Sequence, residues 1–179
     1  MISAIHQPNF MPCLGFFDKI GKCNIFVVYD DAQFCRRDYH NQNYILLYGR
    51  PFKLKVPVVK APLKTPLFRI KIDKNATING VDWKNYHLLR IKEAYIKAPY
   101  FNEIFPILEE IYMKNFERLV DFNVNLINTF CDLLGIKRKI YFSRILSIEK
   151  DIKSKSTKKL VDLTKYLNCD VYFSGIGGK

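Results

Sequence analysis

The clearest indication of the fold is the stretch Ile25-Phe26-Val27-Val28-Tyr29, in which every residue is apolar or aromatic. A short unbroken run of this kind, rich in β-branched residues, is typical of a strand buried on both faces, as in a parallel sheet. Another apolar run begins at Ile2, and a short helical pattern over residues 15–22 separates the two. Strand, helix and strand in this order predict a right-handed βαβ unit at the start of the chain.

The rest of the chain continues to alternate strand and helix patterns. Three helical patterns predict a helical insert around residues 83–134, and short strands are expected at 140–142 and 170–173. We also expect a hairpin across residues 49–51, a half-exposed strand at 68–72, and a charged loop at 148–159 that leads into a last helix. The sequence therefore predicts one α/β domain over residues 1–179, with a Rossmann-like, mostly parallel sheet that opens with the βαβ unit.

Composition limits the classes of protein that this chain can represent. An apolar content of 49% supports a folded core and excludes a disordered chain. The net charge of +12 favours an anionic partner, although a solvated lysine-rich surface explains the charge equally well. The five cysteines form no C-x-x-C pair, which argues against a disulfide framework or a structural metal and favours the cytoplasm. We expect no signal peptide and no transmembrane segment, because no apolar run approaches about 20 residues.

Three polar clusters follow the predicted strands, namely His6-Gln7, Asp30-Asp31 and Ser174-Gly175. Ligands of open α/β sheets bind beyond the carboxyl ends of the strands, so the clusters converge if these strands are parallel neighbours. We predict His6 as a general acid or base, and Asp30 and Asp31 as catalytic carboxylates that hold a metal, a sugar hydroxyl or a substrate amine. Adjacent residues on a strand point to opposite faces, so one of the two aspartates is expected to enter the site.

Further polar and glycine residues are predicted to bind the substrate. Gly15 opens a helix whose N-terminus can receive an anion, and paired arginines suit phosphate or carboxylate, although they also fit a solvated loop. A glycine-rich end can wrap backbone N–H groups around a phosphate, but it lacks the features of a Walker loop. The predicted substrate-binding residues are Gln7, Asn9, Gly15, Arg36, Arg37, Asn41, Asn43, Ser174, Gly175, Gly177 and Gly178.

The sequence resembles the WbqC-like family over nearly its whole length. The resemblance is carried by His6-Gln7-Pro8-Asn9-Phe10-Met11-Pro12, Leu14-Gly15-Phe16-Phe17-Asp18-Lys19-Ile20, Asp30-Asp31-Ala32-Gln33-Phe34, Trp83-Lys84-Asn85, Lys97-Ala98-Pro99-Tyr100-Phe101 and Asp170 to Gly178. Cys13 stands where the family commonly has an aromatic residue, and Gln42 replaces a usual arginine. Family members usually continue past the Gly-Gly segment, so the resemblance leaves open a C-terminally shortened, inactive product.

The resemblance implies a cytoplasmic bacterial enzyme of surface-polysaccharide assembly, particularly of O-antigen. The reaction that fits is acyl or aminoacyl transfer to a nucleotide-linked or lipid-linked sugar, with His6 as base, Asp30 or Asp31 on the amine, and Arg36 and Arg37 on phosphates. The sequence leaves the cofactor and the need for a metal unknown. A contact of the basic middle segment with lipid headgroups at a membrane surface stays open.

Two alternatives remain from other classes. The unit from Ile2 to Asp31 also resembles the opening of the HIGH-motif nucleotidyltransferases, which would make the protein an ATP-dependent ligase, although Phe16 stands at the second histidine of that motif. The charge and the abundant tyrosine and phenylalanine fit a basic nucleic-acid-binding module. The chain has no zinc-finger, RNP or helix-turn-helix signature, so we expect no nucleic-acid partner.

Overall fold

A computed structural model of the chain describes residues 1–137 and 139–175. The elements follow in the order β1 (Ile2–His6), α1 (Leu14–Gly21), β2 (Ile25–Val28), β3 (Gln42–Leu47), β4 (Arg50–Lys55), a 3-10 turn (Leu67–Arg69), β5 (Thr77–Ile78), β6 (Val81–Asp82), α2 (Trp83–Tyr95), α3 (Phe101–Met113), α4 (Leu119–Leu133), β7 (Lys139–Phe142), α5 (Ser143–Glu149), α6 (Ser156–Tyr166) and β8 (Val171–Tyr172).

The four strands β7, β2, β1 and β8 lie side by side in this order, and every neighbouring pair is parallel. The register aligns Ser3 with Ile25 and Ile2 with Val171. All four residues of β2 are buried, as an unbroken apolar strand in the middle of a parallel sheet should be. The predicted βαβ unit and the mostly parallel sheet are therefore confirmed.

Helices cover both faces of the sheet. On one face, α1 and α4 pack Phe16, Phe17 and Ile127 against β2 and its neighbours. On the other face, α5 and α6 bring Leu146 and Leu163 against the opposite side chains of β1 and β2. The result is the helix–sheet–helix layering of a Rossmann-like α/β fold, with its ligand-binding edge at the carboxyl ends of the strands.

The predicted helical insert is present as α2, α3 and α4, and it builds a core of its own. Trp83, Tyr112 and Phe122 are fully or almost fully buried there, together with Leu54 of the β3–β4 hairpin. Phe10, from the loop after β1, also belongs to this core. The insert is therefore packed directly against the loop that carries the first polar cluster.

The structure differs from the sequence analysis in one wrong prediction and in one helix that was not predicted. The half-exposed strand at residues 68–72 is wrong: Leu67–Arg69 is a 3-10 turn, because the N–H groups of Leu67 and Phe68 donate to the carbonyl oxygens of Ala32 and Asp30 instead of forming a strand ladder. The helix α5 was not predicted at all. It begins at Ser143, directly after the last residue of β7, so no separate loop marks the boundary between strand and helix.

Burial of His87 makes stability depend on pH. This side chain is inaccessible to solvent, its Nδ1 lies 3.2 Å from Oη of Tyr112, and burial lowers its pKa from 6.5 to about 4. Since the unfolded chain binds the proton at higher pH than the folded one, stability falls as the pH drops from about 6.5 to about 4, by roughly 3 kcal/mol. Burial also lowers the pKa of His6 and His40, so these two histidines also make the protein less stable in acid.

Urea unfolding at pH 7 and pH 4.5 measures this effect. The variant His87→Phe, which keeps an aromatic ring and has no titratable group, should show a weaker loss of stability in acid than the parent protein. Equal losses in the two proteins would show that His87 is not the group responsible.

Candidate functional site

A cleft of about 670 Å³ opens at the carboxyl ends of β1 and β8, beside the N-terminus of α1. This volume lies in the range typical of small-molecule sites. Six of the residues predicted from sequence line it: His6, Asn9, Gly15, Asn43, Ser174 and Gly175. Strands β1 and β8 are neighbours in the sheet, which explains how residues about 168 positions apart meet there.

His6, the last residue of β1, is held as a neutral imidazole. Its Nδ1 lies 2.9 Å from the carbonyl oxygen of Gln7, which can only accept, so Nδ1 carries the proton and Nε2 keeps its lone pair. Its ring packs edge-on against Phe16, with 5.0 Å between the ring centroids. Burial lowers the pKa of His6, and the nearby charge of Lys19 lowers it further. At neutral pH this side chain is therefore a base, with Nε2 as the proton acceptor.

The loop between β1 and α1 is fixed by hydrogen bonds to distant segments. Asn43 donates through Nδ2 to the carbonyl oxygens of Met11, at 2.6 Å, and Phe10, at 3.3 Å. Asn123 of α4 is fully buried, and its Nδ2 lies 2.8 Å from the carbonyl oxygens of both Pro8 and His40. These amides hold the loop that carries His6 and Asn9 in one shape, which is the preorganisation that a binding site needs.

Lys19 also lines the cleft and was not predicted from sequence. It is only 8% exposed, and its Nζ donates to the carbonyl oxygen of Ile5 at 3.3 Å. Burial lowers the pKa of its amine. A signal was available in the sequence: Lys19 lies three residues after Phe16 and four before Cys23, so it occupies the apolar stripe of the helix, where an uncompensated lysine is unexpected.

The aspartates Asp30 and Asp31 lie at the carboxyl end of β2, but neither lines the cleft. Asp30 is buried and accepts hydrogen bonds from the backbone N of Arg144, at 3.0 Å, and from its Nε, at 3.1 Å. Asp31 accepts from Ser143 Oγ at 2.6 Å and forms an ion pair with Lys159. These two aspartates thus bind the start of α5 and a residue of α6. The polar residues at the strand ends therefore form two separate groups, one that lines the cleft and one that forms an ionic cluster.

The remaining predicted site residues lie elsewhere. Arg36 and Arg37 are exposed, and Arg36 lies in a separate groove with Asn41, where its Nη2 donates to the carbonyl oxygen of Ala61 at 3.4 Å. Gln7 contributes its backbone carbonyl to His6. The predicted residues Gly177 and Gly178 lie outside the described residues.

Within 1–137 and 139–175, no group of three or more His, Cys, Asp or Glu side chains is placed to hold a metal ion. In the same part of the chain, no helix combines the length and the apolar character that are required to cross a membrane.

The fold and the cleft define an α/β protein with a small-molecule-sized site at the carboxyl edge of a parallel sheet. The chain belongs to the WbqC-like protein family, which matches residues 7–179. It is 32% identical over 174 residues to the uncharacterized protein Rv1507c of Mycobacterium tuberculosis, a match that covers 96% of this chain and 71% of that protein. No solved structure matches the chain.

Proposed function

We propose that this protein is a cytoplasmic transferase of surface-polysaccharide assembly that moves an acyl or aminoacyl group onto an amino sugar linked to a nucleotide or lipid phosphate. The observation that carries the proposal is the neutral imidazole of His6 in a cleft of substrate size. The family resemblance supports the pathway, since WbqC-like proteins are found with O-antigen assembly.

The cleft offers the groups that such a transfer requires. The amine nitrogen of the sugar attacks the acyl carbon, the new N–C bond forms, and the bond from the acyl carbon to its carrier breaks. His6 Nε2 accepts the proton that the amine loses and passes it to the departing carrier. Asn9 Oδ1 is buried without a hydrogen-bond partner in the described part of the chain, and is available to accept from the amine or a sugar hydroxyl.

This assignment changes the roles predicted from sequence. From the sequence we expect Asp30 or Asp31 to bind the amine of the substrate. In the structure, their side chains bind Arg144 and Lys159 instead. In the proposal Asn9 takes that role, because it lines the same cleft as His6. Arginine contacts with phosphate are likewise not part of the proposal, because Arg36 lines a different groove.

Thermal unfolding with a panel of ligands tests the proposal. The panel contains UDP-, GDP- and dTDP-linked sugars, the free nucleotides, ATP and the free sugars. A nucleotide sugar present at about 100 times its dissociation constant should stabilise the protein by roughly 2.7 kcal/mol, which is easily seen as a rise in melting temperature. The free sugar alone should have no effect.

Other outcomes separate the alternatives. Stabilisation by ATP with no effect of any nucleotide sugar would support the ligase, whose HIGH-like layout shares the strand, loop and helix of the observed βαβ unit. A cooperative melt that no member of the panel shifts would contradict a nucleotide-linked substrate.

A further inference from the structure

We infer that Lys19 and the N-terminus of α1 together bind an anionic group of the substrate, of the phosphate or pyrophosphate class. The inference rests on the proposed function only in taking the phosphate of a sugar donor or acceptor as the natural ligand. The site itself follows from the arrangement of charge and hydrogen-bond donors in the cleft.

Lys19 is a buried amine without a countercharge. Lysines are almost never this buried unless they are paired, because removing an ammonium group from water is costly. The hydrogen bond from Nζ to the Ile5 carbonyl uses one of its three donors. No carboxylate of residues 1–137 and 139–175 forms an ion pair with Nζ, and burial lowers the pKa of the amine. An anion in the cleft would supply the missing charge and accept from the remaining donors.

The N-terminus of α1 lies at the same end of the cleft. Lys19 lies one helical turn after Gly15, so the two residues share a face of α1, and both line the cleft. The side chain of Cys13 does not cap this helix, and no acidic residue occupies its first turn. The backbone N–H groups at the start of a helix and the helix dipole favour an anion at this end.

Gly15 keeps this position open to the cleft. A Cβ at Gly15 would meet only Sγ of Cys13, at 4.0 Å, so the fold does not require glycine for lack of space. The absent side chain instead leaves the backbone of the first helical turn accessible from the cleft. Lys19 is also the single lysine or arginine among the described residues that line this cleft, so it is the cation that a phosphate there would meet.

Isothermal titration with inorganic pyrophosphate tests the inference without any need for transfer activity. Lys19→Met should weaken pyrophosphate binding by about 10- to 100-fold, the usual contribution of a hydrogen bond to a charged group. The matched control is Lys22→Met on the same helix, because Lys22 is exposed and paired with Asp18 at 2.7 Å. This control should change the affinity by less than about threefold.

A second variant tests the same site in case Lys19→Met does not fold. Gly15→Asp places a carboxylate in the first turn of α1, where it favours the helix and occupies the position of the anion. This variant should melt at least as high as the parent protein and bind pyrophosphate about 10-fold or more weakly. Gly21→Asp adds the same charge at the other end of α1, where a side chain meets no atom within 4 Å, and should leave binding nearly unchanged.

Equal pyrophosphate affinity in the parent protein, Lys19→Met and Gly15→Asp would overturn the inference, as would no binding of pyrophosphate to the parent protein at millimolar concentration. His6→Asn separates this result from the proposed function, since it should bind pyrophosphate normally. If pyrophosphate binds through Lys19 but no sugar transfer is found, the anion site stands and the proposed reaction fails.

Discussion

Replacing His6 with asparagine is expected to lower the transfer rate by about 100- to 10,000-fold, the range for loss of a general base. Asparagine can still donate to the Gln7 carbonyl, as His6 Nδ1 does at 2.9 Å, so the end of β1 should keep its shape. It has no group that can accept the proton of an attacking amine. The rate of acyl or aminoacyl transfer to the amino sugar, followed by mass spectrometry, measures the loss.

The pH profile gives this prediction a signature that a structural role would not show. Burial and the charge of Lys19 lower the pKa of His6, so its base form persists below pH 6.5. The acid limb of kcat/KM in the parent protein should therefore lie below pH 6.5, and the variant should lose that limb. Lys22→Met, an exposed change outside the cleft, is the control. If His6→Asn transfers the group at a rate within about threefold of the parent rate, His6 is not the general base.

Replacing Asp30 with asparagine is expected to lower the free energy of unfolding by about 2–3 kcal/mol. This is less than the cost of removing one partner from a fully buried ion pair, because the Arg144 side chain is 35% exposed and water can solvate its charge. The Asp30 carboxylate is 1% exposed and pairs with Arg144 Nε at 3.1 Å. It also accepts from the backbone N of Arg144, at the start of α5. The change leaves the Arg144 guanidinium over the ring of Phe68 without its anionic partner.

Urea unfolding of Asp30→Asn measures this loss, with Asp18→Asn as the matched control. Asp18 pairs with Lys22 on the surface, with both side chains about 60% exposed, and its loss should cost less than about 1 kcal/mol. The double variant Asp30→Asn, Arg144→Met should recover part of the stability, because it removes the orphaned charge as well. If Asp30→Asn is as stable as the parent protein but has lost transfer activity, Asp30 takes part in the reaction and its role is not only structural.

The sheet could be predicted from sequence because its strands are marked by composition alone. Residues 25–28 are apolar without interruption, and burial on both faces of a parallel sheet requires this. The 3-10 turn at Leu67–Arg69 could not be predicted in the same way. Its form depends on backbone carbonyls of Asp30 and Ala32, which lie more than 30 residues earlier in the chain.

Part of the candidate site could be predicted because polar residues at the carboxyl ends of parallel strands meet at one edge of the sheet. His6 and Ser174 fall at such ends and both line the cleft. The hydrogen-bond partners of Asp30 could not be predicted from sequence, because Ser143 and Arg144 are more than 110 residues away and begin a helix that was not predicted. Lys19 is harder to predict, because a lysine in a helix is usually solvated; its place in the apolar stripe of α1 is the sequence signal, and the packing around α1 shows that the side chain is buried.

The two hydrogen bonds of Asn123 mean that the helical insert cannot be exchanged as a separate module. Its Nδ2 lies on α4 and binds the carbonyl oxygens of Pro8 and His40, in two segments next to the cleft. A chimera that takes α2, α3 and α4 from a relative keeps these two hydrogen bonds only if the relative also has asparagine at this position. Engineers who wish to alter the specificity of this protein through the insert should therefore graft the loop after β1 with it, as one unit.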